Sequence, residues 1–283
     1  MTDETTLDDT ESVPGPQAGI RTDIPHSARM YDYYLGGRTN YRPDREAADE
    51  VATIFPGIFR AALENRDFMH RATRVLARSY GIRQWLDVGS GIPTRPNLHE
   101  VAQSVTEDAR VVYVDHDPIV LNYARALLRS TPAGRTAYVQ ADATDPDSIL
   151  SDETLAATLD LSRPVALSLN ALMHFIPDDR DPYGIVSRLM AALPSGSALA
   201  LSHCTPDFAP EVWAEIEGVY RRSGTPAQVR TREEVERFFD GLELIDPGVA
   251  LGHRWRPEET TRTDVPSVSD EDVSLWAGVG IKP

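Results

Sequence analysis

From Gln84 onward, short apolar runs alternate with stretches of helical periodicity, and this alternation is the feature that most constrains the fold. We predict strands at residues 84–88, 110–115, 136–140, 164–169, 197–202, 242–245 and 273–281. Helix start signals lie between them, such as Asp117-Pro118 and Asp181-Pro182, in which an N-cap acid precedes a proline. Strand–helix–strand units build a parallel sheet covered by helices, so the sequence predicts an α/β fold.

Three segments are predicted in the 283 residues. Residues 1–20 contain five acids and no base, which is typical of a disordered acidic tail. Residues 21–82 are mostly helical and are predicted to form an N-terminal lid, and residues 83–283 form the α/β domain.

Composition limits the partners and the compartment. A net charge of −16 without a clustered basic surface argues against nucleic acid. No apolar run approaches the ~20 residues of a membrane helix, and the polar N-terminus does not resemble a secretory signal. The single cysteine, Cys204, suits a reducing compartment, so we expect a cytoplasmic protein. The sequence leaves open whether it is a monomer or a homodimer.

The stretch WLDVGSGIPT, residues 85–94, predicts a strand that turns out of the sheet towards a ligand. Gly89 and Gly91 fit the first two glycines of a dinucleotide fingerprint, but Thr94 takes the third position. No lysine follows, as a P-loop requires, and the next helix signal comes only at Asn97. These departures favour a nucleoside ligand without phosphate.

Three acids at successive predicted strand ends support this interpretation. Asp87, Asp115 and Asp142 would lie together at the carboxyl edge of the sheet. Asp115 follows Gly91 by 24 residues, close to the ~20-residue spacing at which an acid meets a ribose hydroxyl. An acidic edge also suits a cationic ligand such as S-adenosylmethionine. The alternative is that Asp87 and Asp142 only form hydrogen bonds within their own turns.

The order of motifs resembles class I S-adenosylmethionine-dependent methyltransferases. The motifs are WLDVGSG, VVYVDHDP, YVQADA, VALSLNALMHF and LPSGSALALSH. With IPHSARMYDYYLGGRTNYRPDRE at the front, the chain resembles, from about residue 24 to its end, a bacterial S-adenosyl methyltransferase family long catalogued as a domain of unknown function. The resemblance implies a Rossmann-like, seven-stranded, mostly parallel sheet with an antiparallel last strand, and S-adenosylmethionine as cofactor.

The resemblance also implies roles at matching positions. The methionine part of the cofactor would contact Gly89, Ser90 and Gly91, and the ribose would bind Asp115. The adenine would lie beside His116 and Asp117, with its edge at Asp142 and Ala143. Asn170 would lie under the cofactor. The chain departs from the pattern of this family at two places. An arginine is usual in the family where this chain has Ala143 to Asp145, and an acid is commoner where it has Thr39.

A tyrosine-rich segment surrounds Gly36 and Gly37 at the front of the chain. Tyr33, Gly37, Asn40 and Tyr41 are candidate lid or substrate residues, because aromatic rings cover ligands and exclude water. The alternative is that the tyrosines pack the helical addition onto the sheet.

Methyl transfer from this cofactor needs alignment of the acceptor more than an elaborate catalytic apparatus. His174 is the candidate general base, with a purely structural histidine as the alternative. No metal constellation is apparent. Three hypotheses remain: a methyltransferase acting on an unidentified small molecule, a non-catalytic binder of the cofactor or its demethylated product, and an NAD-dependent oxidoreductase, which Thr94 disfavours.

Overall fold

A central sheet organises the residues described by the computed structural model, which are 21–127, 129–261 and 267–283. The predicted acidic tail, residues 1–20, lies outside them. The strands are β1 (Gln84–Val88), β2 (Arg110–Asp115), β3 (Arg135–Gln140), β4 (Ala166–Asn170), β5 (Ala198–Cys204), β6 (Glu243–Leu244), β7 (Ala250–Leu251) and β8 (Leu275–Ile281). Their spatial order is β3-β2-β1-β4-β5-β8-β6, with β7 also paired to β8.

Strand direction confirms the predicted mostly parallel sheet. Strands β1 to β5 pair in parallel, and β8 runs antiparallel to β5. The predicted strand at residues 242–245 differs, because the edge beside β8 is formed by two separate pieces, β6 and β7. Pro247 lies between them and has no N–H to donate to a ladder, and Gly248 follows at φ 79°. The described part of the chain therefore forms eight strands where seven were expected.

Helices cover both faces of the sheet, as buried parallel strands require. They are α1 (Ser27–Tyr34), α2 (Arg42–Ile54), α3 (Ile58–Ser79), α4 (Leu98–Val105), α5 (Pro118–Leu127), α6 (Pro146–Leu150), α7 (Glu153–Thr158), α8 (Pro182–Ala191), α9 (Pro210–Arg222), α10 (Arg232–Glu236) and α11 (Asp270–Val273). Helix α3 packs Phe68 and Leu76 against Trp85 on one face of the sheet, while Leu86 belongs to the core on the other face. Among the helices described, none combines the length and the apolar character that crossing a bilayer demands.

A third apolar cluster joins the N-terminal helices to α9. Met30 and Tyr34 of α1 and Val51 of α2 pack with Trp213 and Ile216 of α9, and all five are almost fully buried. This cluster lies apart from the two sheet cores. It fixes the N-terminal helices beside the segment that follows β5.

A buried ion pair fixes α1 to the start of α2. Asp44 is fully buried, and its two carboxylate oxygens lie 2.9 and 2.8 Å from Arg29 Nε. The same carboxylate accepts hydrogen bonds from the backbone N–H groups of His26, at 2.8 Å, and Tyr41, at 2.7 Å. One acid therefore sets the geometry of both helix starts.

We predict that Asp44→Asn destabilises the fold by about 3 kcal/mol, because it leaves the Arg29 guanidinium buried without a counter-charge. Urea denaturation measures the loss. Glu46→Gln is the matched control, since Glu46 pairs with Arg42 on the exposed side of α2 and should change stability little. Equal losses in the two variants would contradict the role given to Asp44.

Candidate functional site

A cavity of about 1340 Å³, counted with its opening to solvent, lies at the carboxyl ends of the central strands. Asp87 of β1, Asp115 of β2, Asn170 of β4 and Cys204 of β5 line it together with residues of α1, α3 and α9. This is the edge at which open α/β sheets bind ligands.

The structure brings many of the predicted site residues together there. The predicted site residues that line the cavity are Asp87, Gly89, Ser90, Gly91, Asp115, His116, Asn170 and His174. The other predicted site residues do not line the cavity: Asp117, Asp142, Ala143, Tyr33, Gly37, Asn40 and Tyr41.

The glycine turn after β1 is fixed to the end of β2. Gly89 and Gly91 have φ values of 72° and 64°, in the left-handed region that favours glycine. A Cβ on Gly89 would come within 2.5 Å of the Leu172 side chain, so the position has no room for one. The Asp115 carboxylate accepts hydrogen bonds from Gly91 N at 2.9 Å and from Asp117 N at 3.0 Å. One carboxylate thus holds both the turn and the start of α5.

Burial raises the pKa of the two aspartates that line the cavity. It raises the pKa of Asp115, although the two backbone N–H groups oppose the shift. Burial raises the pKa of Asp87 to about 6, against a hydrogen bond from Ser168 Oγ at 2.7 Å. Asn170 Nδ2 donates to the same Ser168 Oγ at 2.7 Å, so a polar chain links the ends of β1 and β4.

Asp142 has a different environment from the other two strand-end acids. It is exposed, and one of its carboxylate oxygens accepts hydrogen bonds from Thr144 N and Thr144 Oγ1, both at 2.8 Å. These contacts form the turn after β3, as the alternative interpretation expected. Ala143 lies in this turn, half-buried.

The start of α1 borders the cavity beside the end of β2. His26 Nδ1 lies 3.4 Å from an Asp117 carboxylate oxygen, and the His26 and His116 rings are 5.4 Å apart. His26, Ser27 and Ala28 line the cavity. These three residues were not predicted from the sequence, because a single histidine before a helix is a common pattern.

The predicted lid residues make contacts within the N-terminal segment. Tyr33 Oη donates to Asp49 at 2.9 Å, and the Tyr41 ring lies under the Arg29 guanidinium. Asn40 Nδ2 donates to Asp32 at 2.8 Å. A Cβ on Gly37 would meet the Asp32 carboxylate at 2.1 Å. From the same segment, Tyr31 and Tyr34 line the cavity instead.

Helix α3 supplies a cation to the cavity and α9 supplies aromatic surface. Arg66 is the only arginine or lysine among the described lining residues, and its Nη2 donates to Thr94 O at 2.5 Å and Pro96 O at 2.8 Å. Trp213 and Tyr220 of α9 line the other end. None of these three residues was predicted from the sequence, because their spacing is that of ordinary amphipathic helices.

The loop that carries His174 is held by a fully buried arginine, Arg230. Its guanidinium donates to four acceptors: Met173 O at 3.1 Å, Ile176 O at 3.0 Å, an Asp178 carboxylate oxygen at 2.6 Å and His203 Nε2 at 2.9 Å. Burial, and then the Arg230 charge, lower the pKa of His174 to about 3. His174 is therefore neutral at physiological pH and a weak base.

No group of three or more His, Cys, Asp or Glu side chains in the described ranges has an arrangement that would hold a metal ion.

Comparisons with known proteins identify relatives. A model of the S-adenosyl methyltransferase family matches residues 14–283. The structure is similar to a DUF574 family protein from Streptomyces avermitilis, at 48% identity and a TM-score of 0.89, covering 93% of this chain and 99% of that one. It is also similar to a protein from Thermobifida fusca, at 40% identity and a TM-score of 0.83, covering 92% of this chain and 95% of that one.

A more distant likeness concerns the fold alone. An O-methyltransferase family protein from Burkholderia thailandensis matches at 12% identity and a TM-score of 0.50, covering 80% of this chain and 60% of that one. A search of curated proteins found no match. The Rossmann-like fold and the family expected from the motifs are both confirmed.

We predict that Arg230→Met destabilises the protein by about 3 kcal/mol, since it removes hydrogen bonds from buried carbonyl oxygens. Guanidinium chloride denaturation measures the change. Arg188→Met is the matched control, because Arg188 pairs with Asp147 at the exposed surface. If Arg230→Met unfolds at the same denaturant concentration as Arg188→Met, Arg230 does not hold the loop.

Proposed function

The chain belongs to the S-adenosyl methyltransferase family and is an S-adenosylmethionine-dependent methyltransferase, and from this premise we propose that the cavity at the carboxyl ends of β1, β2 and β4 is its active site. The observation that carries the proposal is the convergence of Asp87, Asp115 and the glycine turn on one cavity.

The residues at this end fit the cofactor. Carboxylate oxygens accept more than one hydrogen bond each, so Asp115 can hold ribose hydroxyls while it still binds Gly91 N and Asp117 N. The turn from Gly89 to Gly91 has little side-chain bulk, which lets a ligand approach the backbone. Asp87 suits the ammonium group of the methionine part, and Arg66 is the cation near its carboxylate.

The adenine end follows from the neighbouring residues. In our proposal His116 and Asp117 lie beside the base, with Asp142 and Ala143 at its edge, and Asn170 lies under the cofactor. The start of α1 covers this end, because His26 contacts both Asp117 and His116.

The cofactor, when bound, supplies a methyl group activated by its sulfonium centre. The protein holds the cofactor, aligns the acceptor and excludes water. Helices α1 and α2 serve as the lid in this proposal, since α1 lines the cavity and Asp44 fixes it to α2.

The acceptor is a small molecule in our proposal. Helices α1, α3 and α9 enclose the cavity, and the net charge of −16 does not suit a nucleic acid. We also propose a cytoplasmic location, because the single cysteine, Cys204, is half-buried and free, which fits a reducing compartment.

We predict that Asp115→Ala weakens binding of S-adenosylmethionine by about tenfold to a hundredfold, the range expected for lost hydrogen bonds to a charged group. Isothermal titration calorimetry measures the affinity. Asp147→Ala, an exposed aspartate of α6, is the control and should bind as the parent does. Parent-like affinity in Asp115→Ala would remove the ribose role.

We also predict a pH dependence that originates from Asp87. Its pKa is raised to about 6, so the carboxylate gains a proton as the pH falls through that value and no longer attracts an ammonium group. Affinity for S-adenosylmethionine should decrease from neutral to mildly acidic pH. Asp87→Asn should bind weakly at both, with a flatter profile. If the parent and Asp87→Asn have parallel profiles, another group causes the dependence.

A further inference from the structure

The cavity continues beyond the cofactor end into a region lined by the third apolar cluster, which we call the acceptor half. Six residues define it: Tyr34, Ile58, Phe175, Trp213, Ile216 and Tyr220. Trp213 and Ile216 are 3% and 2% exposed, and the Phe175 and Tyr220 rings meet edge to face at 5.3 Å. Four of the six are aromatic, which favours a flat apolar ligand.

Burial keeps the cysteine, tyrosine and histidine side chains in and beside the acceptor half uncharged. It raises the pKa of Cys204 to about 12 and that of Tyr31 to about 12, and it raises the pKa of Tyr34 and Tyr220 as well. His174 is neutral too, as described above. None of these groups offers a charge to a ligand at neutral pH.

Glu217 is the acid at this end of the cavity, and it already has partners. One of its carboxylate oxygens accepts the backbone N–H of Val229 at 2.7 Å, and the other lies 3.2 Å from Arg221 Nη1. A cationic ligand would therefore compete with Arg221. It would also lie beside the sulfonium of the cofactor, which carries the same sign of charge.

Among the described residues that line or adjoin the cavity, none offers a free counter-ion to an anionic acceptor. Arg66 lies at the cofactor end, where it donates to two carbonyl oxygens. Arg230 lies behind His174, and its donors are used by Asp178, His203 and backbone carbonyls. A carboxylate in the acceptor half would lose its hydration without gaining an ion pair.

His174 provides a polar contact in this apolar region. Its Nδ1 accepts a long hydrogen bond, 3.5 Å, from the backbone N–H of Cys204, which places the ring proton on Nε2. Within the described part of the chain, no residue forms a hydrogen bond to Nε2. The ring packs edge to face against Phe175 at 4.4 Å, so its orientation is fixed.

We propose that the acceptor is an uncharged aromatic molecule that packs against Phe175, Trp213 and Tyr220, with an oxygen that accepts a hydrogen bond from His174 Nε2. His174 is then a positioning residue that donates a hydrogen bond. This inference rests on the proposed function, because it assumes that the cofactor occupies the other end of the cavity.

Calorimetry with matched probes tests the acceptor class. The protein, free or saturated with S-adenosylhomocysteine, is titrated with naphthol, naphthoate and naphthylmethylammonium, which share one ring system and differ in charge. We expect naphthol to bind at least about tenfold more tightly than either ion, because burial of an unpaired charge is costly. An ion that binds as well as naphthol, or the absence of naphthol binding in both forms, overturns the proposal.

Variants test the named contacts. Trp213→Leu and Tyr220→Leu should each weaken naphthol binding by about twofold to tenfold, while Tyr80→Leu, at the exposed end of α3, should not. His174→Phe should weaken the binding of naphthol but not of naphthalene, which lacks the hydroxyl group. A merely structural role for His174 would weaken both equally and would contradict its positioning role.

Two further outcomes separate this inference from the proposed function. A protein that binds S-adenosylhomocysteine but prefers naphthoate refutes the acceptor class and leaves the cofactor site intact. A protein that does not bind S-adenosylhomocysteine refutes the proposed function. A preference for naphthylmethylammonium that disappears in Glu217→Gln would assign the acceptor half to amines and overturn the proposal.

Discussion

The Asp115 carboxylate makes the contacts on which the geometry of the cavity depends. It accepts one backbone N–H from the glycine turn after β1 and one from the residue before α5. Two neighbouring strand ends are thereby fixed to each other at the edge where the cavity opens. Gly89 and Gly91 are both left-handed in this turn, and at Gly89 the backbone also passes close to the Leu172 side chain. The sheet places the strand ends side by side, and the Asp115 carboxylate fixes the turns that follow β1 and β2 at this edge.

The two ends of the cavity differ in chemistry. Asp87 and Asp115 line the proposed cofactor end and Arg66 lies beside them, so charged and hydroxyl-bearing groups would find partners there. The acceptor half consists of aromatic and aliphatic side chains around a neutral His174. This division matches a reaction in which one reactant carries the positive charge and the other approaches it from an apolar environment. Asp44 and Arg230 stabilise the two segments, α1 and the loop after β4, that complete the enclosure.

The strands and the helix starts were predictable from the sequence because their signals are local. Apolar runs fixed the bounds of β1 and β2, and α4 begins directly after the helix signal at Asn97. The divided edge strand was not predictable from an apolar run alone. The cavity-lining roles of His26 and Trp213 depend on contacts between segments far apart in sequence, which no single motif records. The environment of Asp142 was not predictable either, because a strand-end position does not reveal that Thr144 donates two hydrogen bonds to its carboxylate.

A crystal structure of the protein with S-adenosylhomocysteine would examine the cofactor site most directly. We expect the ribose hydroxyls within hydrogen-bonding distance of the Asp115 carboxylate, the homocysteine part along the turn from Gly89 to Gly91, and the sulfur directed towards the acceptor half. A nucleoside bound away from Asp115, or in the reverse orientation with its adenine among the α9 aromatics, would contradict the assignment.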